Sequence, residues 1–253
     1  MAKIIAIANQ KGGVGKTTTC VNLTAALHSM GYRVLLVDSD PQGNASSGMG
    51  VPKSRRPNTY DLLVNGAAPE DCVVSTPYGD LIPTGKELAA ASVELINRDN
   101  REFVLKTALQ QLYTDYDYIF IDCPPSLGFL TINSLTAVDS VLIPIQCEFY
   151  ALEGVSQLMS TIDIVRTNLN PDLEIEGVIL SMFDGRTNLS VQVVEEVKKY
   201  FREKVYATVI PRNVRLAEAP SHGMPVIQYD PRSTGAHAYM EFADEFLESE
   251  GAK

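Results

Sequence analysis

The feature that most constrains this chain is a short stretch near its start, Asn9-Gln10-Lys11-Gly12-Gly13-Val14-Gly15-Lys16-Thr17-Thr18. It follows the apolar run of residues 4–8 and precedes Val21, Leu23, Ala26 and Leu27, which keep helical spacing. Strand, glycine-rich turn and helix is the context a phosphate-binding loop needs. Glycines let backbone N–H groups converge on phosphate oxygens without a Cβ in the way. The helix start adds unpaired N–H groups and the positive end of its dipole. The expected cradle is Gly12, Gly13, Val14, Gly15 and Thr18. Lys16 is expected to reach the β- and γ-phosphates of a nucleotide, and the Thr17 hydroxyl to sit on Mg²⁺. One position breaks the usual spacing. Glycine is expected five residues before Gly15-Lys16, and Gln10 stands there; a second lysine, Lys11, lies inside the loop.

The rest of the chain supplies the matching strands and helices. Near-continuous apolar runs at 33–38, 118–122, 141–145, 175–182 and 205–210 read as strands covered on both faces. Shorter strands are expected near 73–76 and 81–84. Helical spacing marks 17–30, 59–64, 86–96, 99–112, 128–137, 188–202 and 234–249, and a run from Leu152 to Val165. Residues 45–75 read mostly as a long loop. Alternating strands and helices predict an α/β fold: a mostly parallel sheet with helices on both faces, P-loop NTPase-like, in a single domain over 1–253. At 45% hydrophobic residues the chain can fill such a core.

Charge and cysteine usage narrow the chemistry. No apolar run approaches the eighteen or so residues of a membrane span and no leader is visible, so the chain is expected in the cytoplasm. Cys20, Cys72, Cys123 and Cys147 have no CxxC spacing and are expected to be reduced and mostly buried. His28, His222 and His237 show no metal-ligand pattern. The net charge of −10 argues against nucleic acid or anionic membrane as partners. Residues 186–215 depart from that average: Arg186, Lys198, Lys199, Arg202, Lys204, Arg212 and Arg215 face Glu195, Glu196 and Glu203, a local +4. Composition favours a solvated helix face with pairs such as Glu195–Lys199; a basic binding face is the alternative. Tyr200, Phe201 and Tyr206 are expected in the core rather than as a stacking platform.

Three aspartates stand at or just after the ends of apolar strands. Asp122, stopped by Cys123-Pro124-Pro125-Ser126, stands where a Walker B carboxylate holds Mg²⁺ through a water. Asp38 is expected to order the Mg²⁺ shell. Asp40, before Pro41, is either a turn residue or the carboxylate that positions the attacking water.

These motifs resemble one family. The loop with its extra Lys11 is similar to the deviant Walker A loop of the ParA/MinD ATPases. Asp40-Pro-Gln-Gly-Asn44, Asp122-Cys-Pro-Pro-Ser126, Gln146-Cys-Glu-Phe-Tyr150-Ala-Leu-Glu-Gly154 and the segment Ile210–Gly223 resemble the ParA branch, near the short Soj type without an N-terminal DNA-reading domain. The resemblance implies that Lys11 reaches the phosphates of a partner subunit in an ATP-sandwich homodimer. It implies that Asp40 is needed for hydrolysis but not binding, and that Pro211 and Asn213 border the adenine. It implies that Arg186 and Arg215 contact double-stranded DNA non-specifically. The implied activity is Mg²⁺-dependent ATP hydrolysis, stimulated by a ParB-type protein, in chromosome or plasmid segregation on the nucleoid.

Three other readings stand beside it. A MinD-like membrane-cycling ATPase needs a basic amphipathic C-terminal helix, whereas the last helix here carries Glu241, Asp244, Glu245, Glu248 and Glu250. It is expected to pack on its own sheet. An ATP-dependent reductase needs paired cysteines, with Cys123 and Cys147 as candidates. A carboxylate ligase needs a polar substrate pocket that the sequence does not reveal.

Overall fold

The computed structural model describes residues 1–148 and 153–251. Among them one sheet holds eight strands in the order β3-β4-β2-β5-β1-β6-β7-β8. These are β1 (Lys3–Ile7), β2 (Val34–Asp38), β3 (Val74–Thr76), β4 (Gly79–Ile82), β5 (Tyr118–Asp122), β6 (Ser140–Gln146), β7 (Glu174–Phe183) and β8 (Val205–Pro211). All pairings are parallel except β3 with β4 at the edge, where Thr76 and Gly79 close a tight hairpin. A two-residue reversal can join antiparallel strands only, so this edge runs against the rest of the sheet.

The apolar runs are continuous because both faces are covered. Ile5 and Ile7 of β1, Leu36 of β2 and Phe120 of β5 face one core with α1 (Lys16–Ser29). Ile4, Ala6, Leu35, Val37, Ile119 and Ile121 face the other. In chain order the helices that follow α1 are α2 (Asn44–Gly48), α3 (Pro69–Cys72), α4 (Ala91–Glu94), α5 (Val104–Leu109), α6 (Phe129–Ala137), α7 (Glu153–Asn168), α8 (Asn188–Phe201), α9 (Val214–Glu218), α10 (Val226–Tyr229) and α11 (Thr234–Gly251). Helices α5 to α8 cover the second face; α1 and α11 cover the first. Tyr239, Phe242 and Phe246 of α11 are fully buried there. Each contributes roughly 1.5–3 kcal/mol relative to exposure. The apolar side of the last helix is therefore spent on its own sheet, as its acidic outer face predicts. No helix among the described residues is long and apolar enough to cross a membrane.

Segment 45–75 carries the expected strand as β3 and, where a helix over 59–64 is expected, a π-helical turn over Asp61–Asn65. It is more structured than expected in also holding α2 and α3. Residues 86–112 break into short 3₁₀ and α pieces rather than two long helices. The start of the expected helix at Leu152, and residues 149–152 of the motif that contains it, lie outside the described residues.

The register sets the site. Ile7 pairs with Asp122 across β1 and β5, and Asp38 pairs with Asp122 across β2 and β5. Two carboxylates thus stand side by side at the carboxyl ends of adjacent strands, where ligands bind in open α/β sheets.

Candidate nucleotide site and its basic margin

Between β1 and α1 the chain turns through Gly13 at φ 74° and Gly15 at φ 93°. A Cβ at Gly13 would meet nothing within 4 Å. Backbone conformation rather than crowding demands glycine there. The loop is braced from three directions. Thr19 N–H donates to the Gly15 carbonyl at 2.8 Å, closing the first helical turn. Asn9 accepts from Lys11 N–H at 3.1 Å and donates to the Pro144 carbonyl at 2.8 Å, tying the loop to β6. Ser181 Oγ donates to the Val14 carbonyl at 2.7 Å, tying it to β7.

The two lysines have different surroundings. Lys16 is 7% exposed and its Nζ donates to the Lys11 carbonyl at 3.0 Å. Burial lowers its pKa, while the charges of Asp122 and Asp40 oppose the fall. The Lys11 side chain is one-third exposed, and its ammonium rests 3.9 Å from Glu148 Oε2. Glu148 also takes Arg212 at 3.3 Å, so one carboxylate holds two cations at the rim.

Beneath the loop lie the aspartates. Asp122 is fully buried; Cys20 Sγ donates to its Oδ1 at 3.4 Å, and its Oδ2 has no hydrogen-bond partner. Burial, and then the charge of Asp38, push its carboxyl up to about 8. Asp38 is pushed up to about 6, again by burial, against hydrogen bonds that favour its charged form. Those bonds come from Ser46 N–H at 2.8 Å, Ser46 Oγ at 2.7 Å and Asp40 N–H at 3.2 Å. Asp38 is thus saturated by protein donors, while Asp122 keeps an orphaned oxygen. Asp40 is 7% exposed and its Oδ1 accepts from Gln42 N–H at 3.0 Å. An orphaned carboxylate oxygen in a buried site suits a cation, and Thr17 hydrogen bonding also acts on the Asp122 carboxyl. Among the described residues no group of three or more His, Cys, Asp or Glu could hold a metal ion by itself. That donor set fits Mg²⁺, which keeps waters and takes phosphate oxygens beside one or two protein ligands. All four cysteines are free and buried.

A mostly apolar cleft of about 370 Å³ opens beside the loop, lined by Gly15, Thr18, Met182, Pro211, Asn213 and Tyr239 among others. Pro211 and Asn213 thus line one cleft with Gly15 and Thr18 of the glycine-rich loop. Asn213 caps α9: its Oδ1 accepts from Arg215 N–H at 2.7 Å and its Nδ2 donates to Thr234 Oγ1 at 2.6 Å. A cleft with apolar walls and a polar rim accepts a flat heteroaromatic ring.

The two arginines stand away from this cradle. Arg186 has an 89% exposed side chain and forks onto Asp184 at 2.9 and 2.7 Å. It pulls the Asp184 carboxyl down to about 2. Arg215 bonds Glu218 at 2.7 Å and Asp230 at 3.2 Å. Lys198, Lys199, Arg202 and Lys204 are exposed between them in sequence. Lys199 pairs with Glu196 at 2.6 Å, one residue nearer than the expected Glu195. Phe201 and Tyr206 are buried as expected, but Tyr200 is 55% exposed, because α8 turns its apolar stripe of Val193, Val197 and Phe201 inward.

Sequence reasoning did not find Ser46, Ser181, Glu148 as the rim carboxylate, or the capping role of Asn213. The last was readable: asparagine before Val214-Arg-Leu-Ala-Glu218 is a helix-start signal. Ser181 and Glu148 act across long chain separations, and Ser46 reaches back to Asp38 from a segment with no apolar periodicity; none of the three leaves a local pattern.

A family model described as the AAA domain matches residues 2–175. The sporulation initiation inhibitor protein Soj of Bacillus subtilis is 61% identical over 248 residues, covering 97% of this chain and 98% of that one. The chromosome partitioning protein ParA of Myxococcus xanthus is 52% identical over 256 residues, covering 100% and 90%. The chain belongs to the ParA/Soj family. The ParA/Soj likeness runs past the end of the AAA match, through β8 and α9 to α11, and so includes both the apolar cleft and Arg215. A solved structure named as cobyrinic acid a,c-diamide synthase from Mycobacterium smegmatis, with bound ADP and magnesium, superposes with a TM-score of 0.88 at 40% identity. It covers 100% of this ParA/Soj chain and 96% of its own.

Proposed function

We propose that this ParA/Soj protein is an ATP-dependent switch that segregates chromosome or plasmid DNA. It binds ATP with Mg²⁺ and pairs with a second copy across the nucleotides. The pair binds double-stranded DNA without sequence preference on the nucleoid. Hydrolysis, stimulated by a ParB-type protein, releases it. The observation that carries this reading is the contrast between the two loop lysines. Lys16 is buried within its own loop, whereas the Lys11 ammonium rests at the rim beside Glu148. A half-buried cation at the rim, beside a phosphate cradle already served by Lys16, is placed to neutralise phosphates from a facing chain.

The residues divide the work. Backbone N–H groups of residues 12–18 and the Lys16 ammonium hold phosphate oxygens. Pro211 and Asn213 border the adenine. Thr17 and, through a water, the orphaned oxygen of Asp122 would hold Mg²⁺, with Asp38 ordering the shell through Asp40 N–H and Ser46. Bound Mg²⁺ supplies charge neutralisation on the β- and γ-oxygens. Asp40 orients the attacking water, and positioning is most of what phosphoryl transfer asks of a protein. Arg186 and Arg215 contact DNA backbone. Each contact is weak in salt, and pairing two chains doubles them on one surface.

The Mycobacterium name raises an amide-forming synthase as a second reading. Such an enzyme needs a polar pocket for its acid substrate next to the phosphates; the cleft that Pro211 and Asn213 line is mostly apolar, while a second cleft of about 410 Å³ meets Thr17 and Thr18 with Asn22, Asn44, Ser47 and Ser221. Its 40% identity is also below the 61% and 52% of the Soj and ParA relatives.

The test is Mg²⁺–ATP hydrolysis by the purified protein together with binding to unrelated duplexes. We expect hydrolysis, equal affinity across sequences with ATP and not ADP, and a steep loss with salt. Nucleotide-independent or sequence-selective binding contradicts the reading.

A further inference from the structure

Lys53 lies outside every motif named above. It sits between α2 and the π-helical turn, an exposed residue whose side chain nevertheless spans the loop that carries Asp40. Its Nζ donates to the Gln42 carbonyl and, at 3.4 Å, to Asn44 Oδ1. Its aliphatic stem lies flat on Gly43: a Cβ there would come within 3.1 Å of Lys53 Cδ and 3.2 Å of Cγ. Its carbonyl closes on Gly85 in the same way, at 2.7 Å from a Cβ position. The loop beneath has a left-handed Gly43 at φ 62° and a turn bond from Gly43 N–H to the Asp40 carbonyl at 2.8 Å.

Gln42 is thereby held at both ends of one residue. Its N–H grips Asp40 Oδ1 at 3.0 Å, and its C=O is gripped by Lys53. We infer that Lys53 is a positioning residue for hydrolysis: through Gln42 it fixes the Asp40 carboxylate in the orientation that aligns the attacking water. This rests on the ATPase reading of Asp40. A carboxylate that only orients water is sensitive to small misplacements, because nearly all of its contribution is geometric. Nucleotide binding, by contrast, is carried by the loop of residues 11–18, to which Lys53 makes no hydrogen bond. The clamp acts on kcat and leaves nucleotide affinity alone.

Lys53→Met keeps most of the stem over Gly43 and removes the ammonium; Lys53→Arg restores a donor. Single-turnover hydrolysis and ATP affinity are measured for the full chain with Mg²⁺ and duplex DNA, beside amide hydrogen exchange of residues 40–44. We expect Lys53→Met to lower the hydrolysis rate about fivefold, the size of one lost charged hydrogen bond at a partly solvated site, with ATP affinity within about twofold. Lys53→Arg should recover most of the rate, and exchange at Gln42 and Gly43 should rise in Lys53→Met only. An unchanged rate, a loss that arginine does not rescue, or a parallel loss of affinity overturns the inference. If the wild-type protein does not hydrolyse ATP, the functional reading fails instead. The exchange measurement then still decides whether Lys53 holds the loop, and unchanged exchange overturns that too.

Discussion

The carboxyl ends of β1, β2 and β5 and the basic margin from Arg186 to Arg215 use charge in opposite ways. At the strand ends, Lys16, Asp38, Asp40 and Asp122 are all less than a tenth exposed. Burial there shifts Lys16, Asp38 and Asp122 against their charged forms. At the margin, Arg186 and Arg215 stand in solvent, each paired to carboxylates on its own element or close by. Buried charges act on one another through low dielectric and demand a fixed geometry. Exposed pairs are worth little and exchange partners readily. One region is built to hold a ligand in a single pose. On the proposed function, the other trades a carboxylate for a DNA phosphate without rebuilding the fold.

The sharpest way to break this contrast is Lys16→Ala. It removes the buried cation from the phosphate loop, and we expect ATP affinity to fall more than about a hundredfold by calorimetric titration, about 3 kcal/mol of binding. A loss of tenfold or less would mean that the cradle does not depend on its buried charge. Ser46→Ala tests the same region without touching the loop. Ser46 Oγ donates to Asp38 at 2.7 Å and accepts from Thr84 N–H at 2.9 Å, all inside the core. Losing the bond to the buried Asp38 carboxylate and the one from Thr84 N–H should cost about 2 kcal/mol and lower Tm by about 5 °C.

These two residues also mark how far the sequence was legible. Lys16 stands in a contiguous motif between a strand and a helix, so its role is local and readable. The strand carrying Asp122 is likewise an unbroken apolar run with a polar stop. Ser46 belongs to the stretch read as loop. Its five-residue helix has no apolar stripe of its own and depends on contacts from outside the helix, from Asp38 at the end of β2 and from Thr84 after β4. Thr59 works the same way, its hydroxyl reaching both the Asp38 and the Pro83 carbonyl. At the margin, composition favoured a solvated face for Arg186 and Arg215. Their own-chain carboxylate partners are consistent with that, and only the family resemblance pointed to DNA.

The margin is tested by Arg215→Glu. We expect duplex affinity to fall about tenfold at low salt, equally for unrelated sequences, with ATP-driven pairing intact. A sequence-selective loss would contradict backbone contact. A pH trend in the nucleotide-free protein tests the buried region without a substitution. Asp38 and Asp122 bind protons more tightly folded than unfolded, so their contribution to stability is full below the ordinary carboxylate range and is lost as pH rises towards about 8. Tm should fall from pH 5 to pH 8. Asp122→Asn should flatten the drift; a rise in Tm over that range would contradict the assignment.

The central claim is that binding ATP and pairing are one event. It is tested most directly by gel filtration with light scattering on Asp40→Ala, with ATP or ADP, in the presence and absence of duplex DNA. The account predicts a stable dimer with ATP that co-elutes with DNA, a monomer with ADP, and a monomer with either nucleotide when Lys11→Ala is added. A monomer with ATP, or a dimer indifferent to nucleotide and to Lys11, would contradict it.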